Sequence, residues 1–263
     1  MAISFVGQGL PMTTNGFGSG CDKLGVKAPE VWAVLTVETL GSGFFSDRRP
    51  KILFERHIFH NETNGQFDQT APDLSNPVQG GYSGGTAEYT RLARAMQLDE
   101  KAALRSTSWG IGQIMGFNAD KAGYPDAPTM VQAMVNGEDQ QIGGLFAFLS
   151  ATRLDGPLRN HDWTSFARGY NGPTYAKNQY DTRLASAFQK YTTGPLPDLM
   201  FRAAQIYLTY LGFNPGPVDG TLGRMTRSAL ILFQEKNGLV QSGEVDDPTW
   251  AKLQQGSATA ATP

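Results

Sequence analysis

Apolar residues recur at helical spacing through much of the first 190 residues, and this pattern predicts an α-rich domain with little strand. Pro29 is placed to open a helix that runs to about Leu40, where Gly41 ends it. Residues 50–60 contain a dense apolar run and are predicted to be extended. Residues 64–85 carry Gly, Pro, Asn and Ser and are predicted to form a long loop. Further helices are predicted over 86–97, 99–106, 129–149 and 174–190, the first three with N-caps at Thr86, Asp99 and Thr129.

A short Pro-rich stretch, residues 192–197, is predicted to link a domain of residues 1–191 to a smaller one of residues 198–263. Apolar spacing beyond the linker predicts a helix over 198–211. A weak repeat then follows, in which residues 216–219 return as 243–246, and each copy precedes a helix that starts near Thr226 or Thr249. The second domain is therefore predicted to be a small three-helix bundle. Residues 256–263 are expected to fray.

Bulk composition narrows the classes of function. The length of 263 residues suits one large and one small domain, and a formal net charge of −2 argues against nucleic acid as the main partner. A single cysteine, Cys21, excludes an intrachain disulfide. The N-terminus lacks a basic region followed by a long apolar run, and no stretch approaches the ~20 apolar residues of a membrane span. We therefore expect neither a Sec signal peptide nor a transmembrane segment.

Glu38 is the first candidate for chemistry. It follows Val31, Val34 and Leu35 at helical spacing, which places it on the apolar stripe of its own helix, in the last turn. Burial raises the pKa of a carboxyl, and the negative end of the helix dipole acts in the same direction. A carboxyl that stays protonated near neutral pH is what glycoside cleavage requires of its acid. The alternative is a solvated glutamate at a helix end.

Glu55 is the second candidate, because it interrupts an apolar run where a carboxylate needs a partner or a purpose. It could pair with Arg56 or Arg49, or it could act together with Glu38. His57 and His60 suggest a metal site, but a third ligand, such as His161 or an aspartate, would still be needed. Neither a metal nor another cofactor is expected.

Three segments resemble known enzymes when taken in order: Thr-Val-Glu-Thr at 36–39, Ser-Trp-Gly-Ile-Gly-Gln-Ile-Met at 108–115 and Ala-Arg-Gly-Tyr-Asn-Gly-Pro at 167–173. They are similar to the lysozyme superfamily of goose-type lysozymes and lytic transglycosylases. The longer runs KILFERHIFH, PDLS, GGY-x-GG-x-x-EY and SWGIGQIMG resemble the N-acetylmuramidase family of phage endolysins and related bacterial proteins, over about residues 20–190. The resemblance implies a lysozyme-like α+β domain with Glu38 and Glu55 as the catalytic pair.

The same resemblance suggests how a sugar strand is held. Gly110 and Gly112 let the backbone approach the glycan. The Gln113 amide can both donate and accept a hydrogen bond. Tyr170 and Asn171 can reach the acid or an N-acetyl group, whereas Trp109 is expected in the core. The expected substrate contacts are Ser108, Gln113, Tyr124, Tyr170, Asn171 and His57.

The second domain resembles the peptidoglycan-binding domain type 1 family over about residues 198–254. Most of the matching positions are of the kind that determines a fold, so they identify the module better than its contacts. The residues expected to serve wall binding are Gln205, Asp219, Gly220, Thr226, Gln234 and Asp246.

Together these features imply hydrolysis of the β-1,4 bond between N-acetylmuramic acid and N-acetylglucosamine in bacterial peptidoglycan. Glu38 would protonate the leaving oxygen, and Glu55 would either activate water or stabilise positive charge at the anomeric carbon. The alternatives are a lytic transglycosylase, in which Glu55 is structural, and a non-catalytic wall-binding protein. We expect a monomer made in the host cytoplasm that reaches the wall in the periplasm after holin-type release.

Overall fold

The structure, a computed structural model, describes residues 3–39 and 41–260. Within these ranges the chain is mainly α-helical with one small sheet, as predicted, and no helix there is long and apolar enough to cross a membrane. The first ten helices build the N-terminal module, which ends at residue 193. They are α1 Thr14–Leu24, α2 Ala28–Thr39, α3 Arg56–Glu62, α4 Glu88–Leu98, α5 Glu100–Arg105, α6 Ala127–Met134, α7 Glu138–Ala151, α8 Asp155–Arg159, α9 Trp163–Asn171 and α10 Tyr180–Thr193.

The sheet has three short antiparallel strands in the order β1-β2-β3: β1 Ile52–Phe54, β2 Thr107–Trp109 and β3 Ile114–Met115. Leu53 pairs with Ser108, and Trp109 pairs with Ile114. The sheet therefore joins the end of β1, where Glu55 follows, to the glycine-rich turn between β2 and β3.

Helix α2 lies at the centre of the N-terminal module. Its residues from Val31 to Leu35 are almost completely buried, and so is Val37. A helix that is apolar on nearly every side belongs in the core, so α2 has no polar face opposite the predicted stripe. It begins at Ala28 and is described as far as Thr39; Leu40, the predicted end, lies outside the described residues.

The prediction of an extended segment over 50–60 is wrong beyond residue 54. Strand β1 stops at Phe54, and helix α3 occupies Arg56–Glu62. The Glu55 carbonyl accepts hydrogen bonds from the Ile58 and Phe59 amides, both at 3.0 Å, and thereby begins the helix. A run of apolar residues cannot by itself distinguish strand from helix, and here one polar residue separates the two.

Two other boundaries also differ from the prediction. Residues 129–149 form two helices, because the backbone is extended at Gly137. The first of them, α6, is capped by the Asp126 side chain, which accepts from the Thr129 amide, so Thr129 is not the cap. Asp99 caps α5 as predicted, by accepting from the Ala102 amide at 2.9 Å. The remaining N-cap prediction, Thr86, lies in a 3-10 turn before α4.

The C-terminal module contains the three predicted helices, α11 Leu199–Tyr210, α12 Arg224–Lys236 and α13 Asp247–Ala260. Ala204, Leu208, Leu230 and Leu253 meet in a core of their own. The fraying predicted for residues 256–263 is not observed up to Ala260, because α13 continues to that residue, and residues 261–263 lie outside the described residues.

Two buried glutamines organise the C-terminal module in the same way. The Gln205 carboxamide accepts from the Gly220 amide at 2.9 Å and donates to the Thr226 hydroxyl at 3.1 Å. Gln234 does the same with Gly243 and Thr249, both at 2.9 Å. The structural repeat therefore matches Gly220 with Gly243 and Thr226 with Thr249, in place of the predicted match between 216–219 and 243–246.

This arrangement corrects the assignment of wall contacts. Gln205, Gly220, Thr226 and Gln234 are buried, so they hold the fold and cannot touch a polymer. Asp219 and Asp246 are exposed, but each accepts a backbone amide of its own turn, from Thr221 and Thr249 at 2.9 Å. A role for these two aspartates at the wall stays a prediction.

The two modules are packed against each other. Helix α10 continues to Thr193, so the non-helical connection comprises residues 194–198. Tyr210 of α11 donates to the Gly9 carbonyl at 2.9 Å, and Arg48 donates to the Ser257 carbonyl at 2.5 Å. Arg202 of α11 also reaches into the N-terminal module, where it forms an ion pair that is fully buried.

The repeat generates a stability prediction. Gln234→Ala leaves the buried Gly243 amide and Thr249 hydroxyl without their partner, and we expect a loss of about 2–3 kcal/mol in the stability of the C-terminal module. Hydrogen exchange of the α12 amides in denaturant measures this loss. Glu235→Ala, at the exposed next position, is the control and should change stability by less than about 0.5 kcal/mol. Equal effects of the two substitutions would refute a bracing role for Gln234.

Candidate active site

Glu38 lies in the last turn of α2, and the residue as a whole is half-buried. Its Oε1 accepts a short hydrogen bond from the hydroxyl of Tyr180, the first residue of α10. Arg183, one turn further along α10, donates to the Val37 carbonyl at 3.1 Å. The carboxyl group therefore lies between a core helix and a second helix that supplies one hydroxyl and one cation.

The surroundings of Glu38 favour its neutral form. Burial raises its pKa to about 7, while the Tyr180 hydrogen bond and the positive charge of Arg183 act in the opposite direction. The predicted rise in pKa is confirmed, and burial is its main cause. A large fraction of Glu38 is thus protonated near neutral pH and is available as a proton donor.

Tyr170 supports the acid indirectly. Its ring stacks on that of Tyr180, with centroids 6.2 Å apart and an interplanar angle of 14°, and its hydroxyl donates to the Gly112 carbonyl. Glu38 is contacted by Tyr180, whereas the sequence suggested Tyr170 or Asn171. Asn171 is the exposed last residue of α9. The stack connects the turn between β2 and β3 to Glu38.

Gln113 braces that turn from within. Its amide nitrogen donates to the Gly110 carbonyl at 2.8 Å and to the Lys51 carbonyl at 3.2 Å, and its amide oxygen accepts from the Ser108 hydroxyl at 2.9 Å. These bonds occupy both N–H groups, so Gln113 and Ser108 shape the site, and direct contact with sugar stays a prediction. Gly110 has φ +68°, and a Cβ there would lie 2.7 Å from the Gln141 side chain, so glycine is required.

Trp109 and Tyr124 each donate a hydrogen bond to a backbone carbonyl. Trp109 is completely buried and donates to the Leu104 carbonyl at 3.2 Å, which confirms its expected place in the core. The Tyr124 hydroxyl donates to the Gln140 carbonyl at 3.2 Å. This hydrogen bond joins it to α7, and its contact with substrate stays a prediction.

Glu55 directly follows β1, and its carboxylate is held by a tyrosine. The Tyr82 hydroxyl lies 2.8 and 3.0 Å from the two carboxylate oxygens. His57 Nδ1 lies 3.1 Å from Oε2, without the alignment of a hydrogen bond. Burial raises the pKa of Glu55, while Tyr82, His57 and Arg91 act in the opposite direction.

The structural alternative for Glu55, an ion pair with Arg56 or Arg49, is wrong. Arg56 donates to the Val78 carbonyl at 2.8 Å, and Arg49 pairs with Asp47 at 2.6 Å. Glu55 instead faces Tyr82 and His57. Both partners favour the negatively charged form of the Glu55 carboxylate.

Glu88 explains how the long loop brings Tyr82 to Glu55. This fully buried carboxylate accepts from the Ser83 and Gly84 amides at 2.6 and 2.9 Å, and pairs with Arg91 at 2.8 Å. It also accepts from the Phe54 amide at 3.3 Å, so it ties the loop to the end of β1. Neither Tyr82 nor Glu88 was singled out from the sequence, although both belong to the GGY-x-GG-x-x-EY stretch.

The other histidines have single carboxylate partners. His60 pairs with Asp68 and His161 pairs with Glu30, both at 2.8 Å. In the part of the chain that the structure describes, no group of three His, Cys, Asp or Glu side chains is arranged to hold a metal ion.

Comparison with known proteins assigns both modules. Residues 27–192 match the N-acetylmuramidase family model, which covers more than half of the chain. The chain belongs to the N-acetylmuramidase family. Residues 200–253 of this muramidase match the peptidoglycan binding domain family. The crystal structure of the Burkholderia AP3 phage endolysin is similar to it, with 41% sequence identity over 69% of this chain and 71% of that chain and a TM-score of 0.63. No curated protein matches.

These assignments agree with the geometry of the site. The muramidase is a peptidoglycan glycoside hydrolase, and its partner is the bacterial cell wall. Its fold class is lysozyme-like, mainly helical with a small sheet, followed by a helical peptidoglycan-binding module.

The contact between Tyr180 and Glu38 predicts how the pKa of Glu38 changes when the Tyr180 hydroxyl is removed. The Tyr180 hydrogen bond favours the charged carboxylate, so Tyr180→Phe should raise the pKa of Glu38 further above 7. A pH titration followed by carbon NMR of the Glu38 carboxyl group measures this change.

Tyr191→Phe is the matched control. Tyr191 also lies on α10 and its hydroxyl is 2.8 Å from the Thr36 hydroxyl on α2, but it does not touch Glu38. The control should leave the Glu38 pKa unchanged. A lower Glu38 pKa in Tyr180→Phe would contradict the described hydrogen bond.

Proposed function

We propose that this muramidase is an endolysin in which Glu38 protonates the oxygen of the β-1,4 bond between N-acetylmuramic acid and N-acetylglucosamine. The proposal is supported by a half-buried glutamate in the last turn of a core helix, whose carboxyl pKa is raised to about 7 by burial. An acid whose pKa lies near the working pH is both protonated and strong enough to transfer its proton.

The contacts of Glu38 also suit the state that follows proton transfer. Once the proton has left, the carboxylate is stabilised by the Tyr180 hydroxyl and by the charge of Arg183. Both groups favour the charged form, and burial favours the neutral form. This balance allows the same residue to hold a proton in the resting enzyme and to release it during bond cleavage.

Glu55 is the second catalytic carboxylate in this proposal. Tyr82, His57 and Arg91 favour its ionised form, as is required of a group that activates water or stabilises positive charge at the anomeric carbon. Tyr82 is bound to both oxygens and so fixes the orientation of the carboxylate. Both glutamates come from one chain, which is consistent with an active monomer.

The biological setting follows from the relative and from the C-terminal module. The similar structure is that of a phage endolysin, so we propose that this chain also lyses the host wall at the end of a phage cycle, reaching the periplasm after holin-type release. The C-terminal module keeps the enzyme on its polymeric substrate and raises the local concentration of cleavable bonds.

Substitution of each glutamate tests the proposal. Glu38→Gln should reduce the release of reducing ends from purified sacculi by about 10²–10⁴-fold, because the amide cannot donate the proton. Glu55→Gln should cause a loss of similar order. Glu100→Gln, an exposed glutamate of α5, is the control and should retain activity.

Two outcomes are decisive. Full activity of Glu38→Gln would remove it as the acid. Full activity of Glu55→Gln, together with 1,6-anhydro ends in the wild-type digest, would indicate the transglycosylase chemistry, in which an internal hydroxyl attacks in place of water.

A further inference from the structure

Arg202 connects the C-terminal module to the backbone just after the catalytic acid. It lies on α11 and is 1% exposed, and its Nε donates to the Gly41 carbonyl at 2.8 Å, with a second bond from Nη2. Gly41 is three residues beyond Glu38. Its φ is +96°, and a Cβ there would lie 2.2 Å from the Val218 carbonyl oxygen. The C-terminal module therefore touches this backbone directly.

Glu138, the first residue of α7, compensates the charge of Arg202. It is fully buried and accepts from Arg202 Nη2 at 2.7 Å, with a second contact from Nη1. The same carboxylate accepts from the Gly43 amide at 2.8 Å and from the Met12 amide at 3.0 Å. The turn after Glu38 is thus held at Gly41 by the arginine and at Gly43 by the glutamate.

Lys51 holds the near end of the same turn. Its Nζ donates to the Thr39 carbonyl at 2.9 Å. Burial lowers the pKa of Lys51, and the nearby charges of Glu138 and Arg202 act on it in opposite directions. Three charged side chains, from three distant parts of the sequence, therefore hold the backbone at Thr39, Gly41 and Gly43.

We propose that Arg202 is a positioning residue for the reaction, through which the C-terminal module completes the active site as well as tethering it to the wall. The proposal rests on the role of Glu38 given above. Arg202 acts through the Gly41 carbonyl and touches neither the substrate nor Glu38. Because the pair with Glu138 is buried, removing one partner leaves an uncompensated charge, and the turn can no longer keep this arrangement.

If the C-terminal module served only as a tether, a different result would be expected for kcat. A tether changes how much enzyme is held on an insoluble wall, and it has no effect on the turnover of a soluble fragment. A positioning role changes kcat on the soluble fragment, since small displacements at an active site are costly to rate. The two roles are therefore separated by the substrate.

The pH profile gives a second distinction. The groups that face Glu38 are Tyr180 and Arg183 of α10 and Tyr170 of α9. A loosened turn admits water beside Glu38 and weakens the burial that raises its pKa. The alkaline limb of the activity profile should then move to lower pH, which a simple loss of stability does not cause.

The experiment uses the full chain and a soluble oligosaccharide of alternating N-acetylglucosamine and N-acetylmuramic acid, with reducing ends measured from pH 5 to pH 9. We expect Arg202→Met to lower kcat by about tenfold or more, with KM within about twofold, and to move the alkaline limb down by about half a pH unit. Retention on sacculi, measured for Arg202→Met in a Glu38→Gln background, should remain.

Arg48→Met is the matched control. Arg48 is another buried arginine between the modules, and it bonds to Ser257 and lies over the Tyr210 ring, without reaching Gly41. Its kcat and pH profile should stay within about twofold of wild type. The same changes in Arg48→Met as in Arg202→Met would overturn the proposal, because docking of the modules in general would then be responsible.

Arg202→Lys covers the case in which Arg202→Met does not fold. Lysine keeps the charge but has no planar fork with which to hold Glu138 and Gly41 together, so an intermediate kcat with the same direction of pH shift is expected. Wild-type kcat and pH profile in the folded variant would overturn the proposal. Failure of the acid assignment is recognised separately, since Glu38→Gln would then cleave the same oligosaccharide.

Discussion

The burial of one carboxyl group, that of Glu38, is the constraint on which the proposed active site depends. Helix α2 is buried on nearly every side, so little water can reach its last turn. The pKa of Glu38 is raised from the usual ~4.3 of a glutamate to about 7. The folded state therefore loses stability as the pH rises through this interval, and fully retains it only below the lower value. The proposed catalytic role of Glu38 therefore has a cost in stability that develops below neutral pH and persists at higher pH.

The carboxylates of Glu88 and Glu138 are also buried, but they have more hydrogen-bonding and ionic partners than Glu38 has. Glu88 and Glu138 are both completely buried, and each has an arginine and several backbone amides as partners. They organise distant segments: Glu88 joins the long loop to β1, and Glu138 joins the turn after Glu38 to the C-terminal module. The Glu38 carboxyl group accepts one hydrogen bond, from the Tyr180 hydroxyl, and the positive charge of Arg183 lies nearby. The difference in compensation separates the proposed acid from the two structural glutamates.

Much of this architecture could be predicted from the sequence. The Asp99 cap and the three C-terminal helices follow from local spacing and capping chemistry. Glu38 was singled out by its phase on α2, but α2 is buried on nearly every side, so phase alone does not distinguish it. The role of Tyr180 could not be predicted, because its contact with Glu38 depends on packing between helices far apart in sequence. Gln205 and Gln234 were misassigned since a polar side chain is expected at the surface, whereas here each satisfies a buried turn. Such contacts exist only once the chain has folded.

A comparison of two leaving groups tests directly whether Glu38 acts by donating a proton. A natural sugar oxygen needs a proton to depart, whereas 2,4-dinitrophenolate does not. Rates for wild type and Glu38→Gln are measured on the soluble oligosaccharide and on the dinitrophenyl glycoside of its terminal disaccharide. We expect a loss of about 10²-fold or more on the oligosaccharide and less than about tenfold on the dinitrophenyl glycoside. Equal losses on the two substrates would contradict a proton-donating role for Glu38.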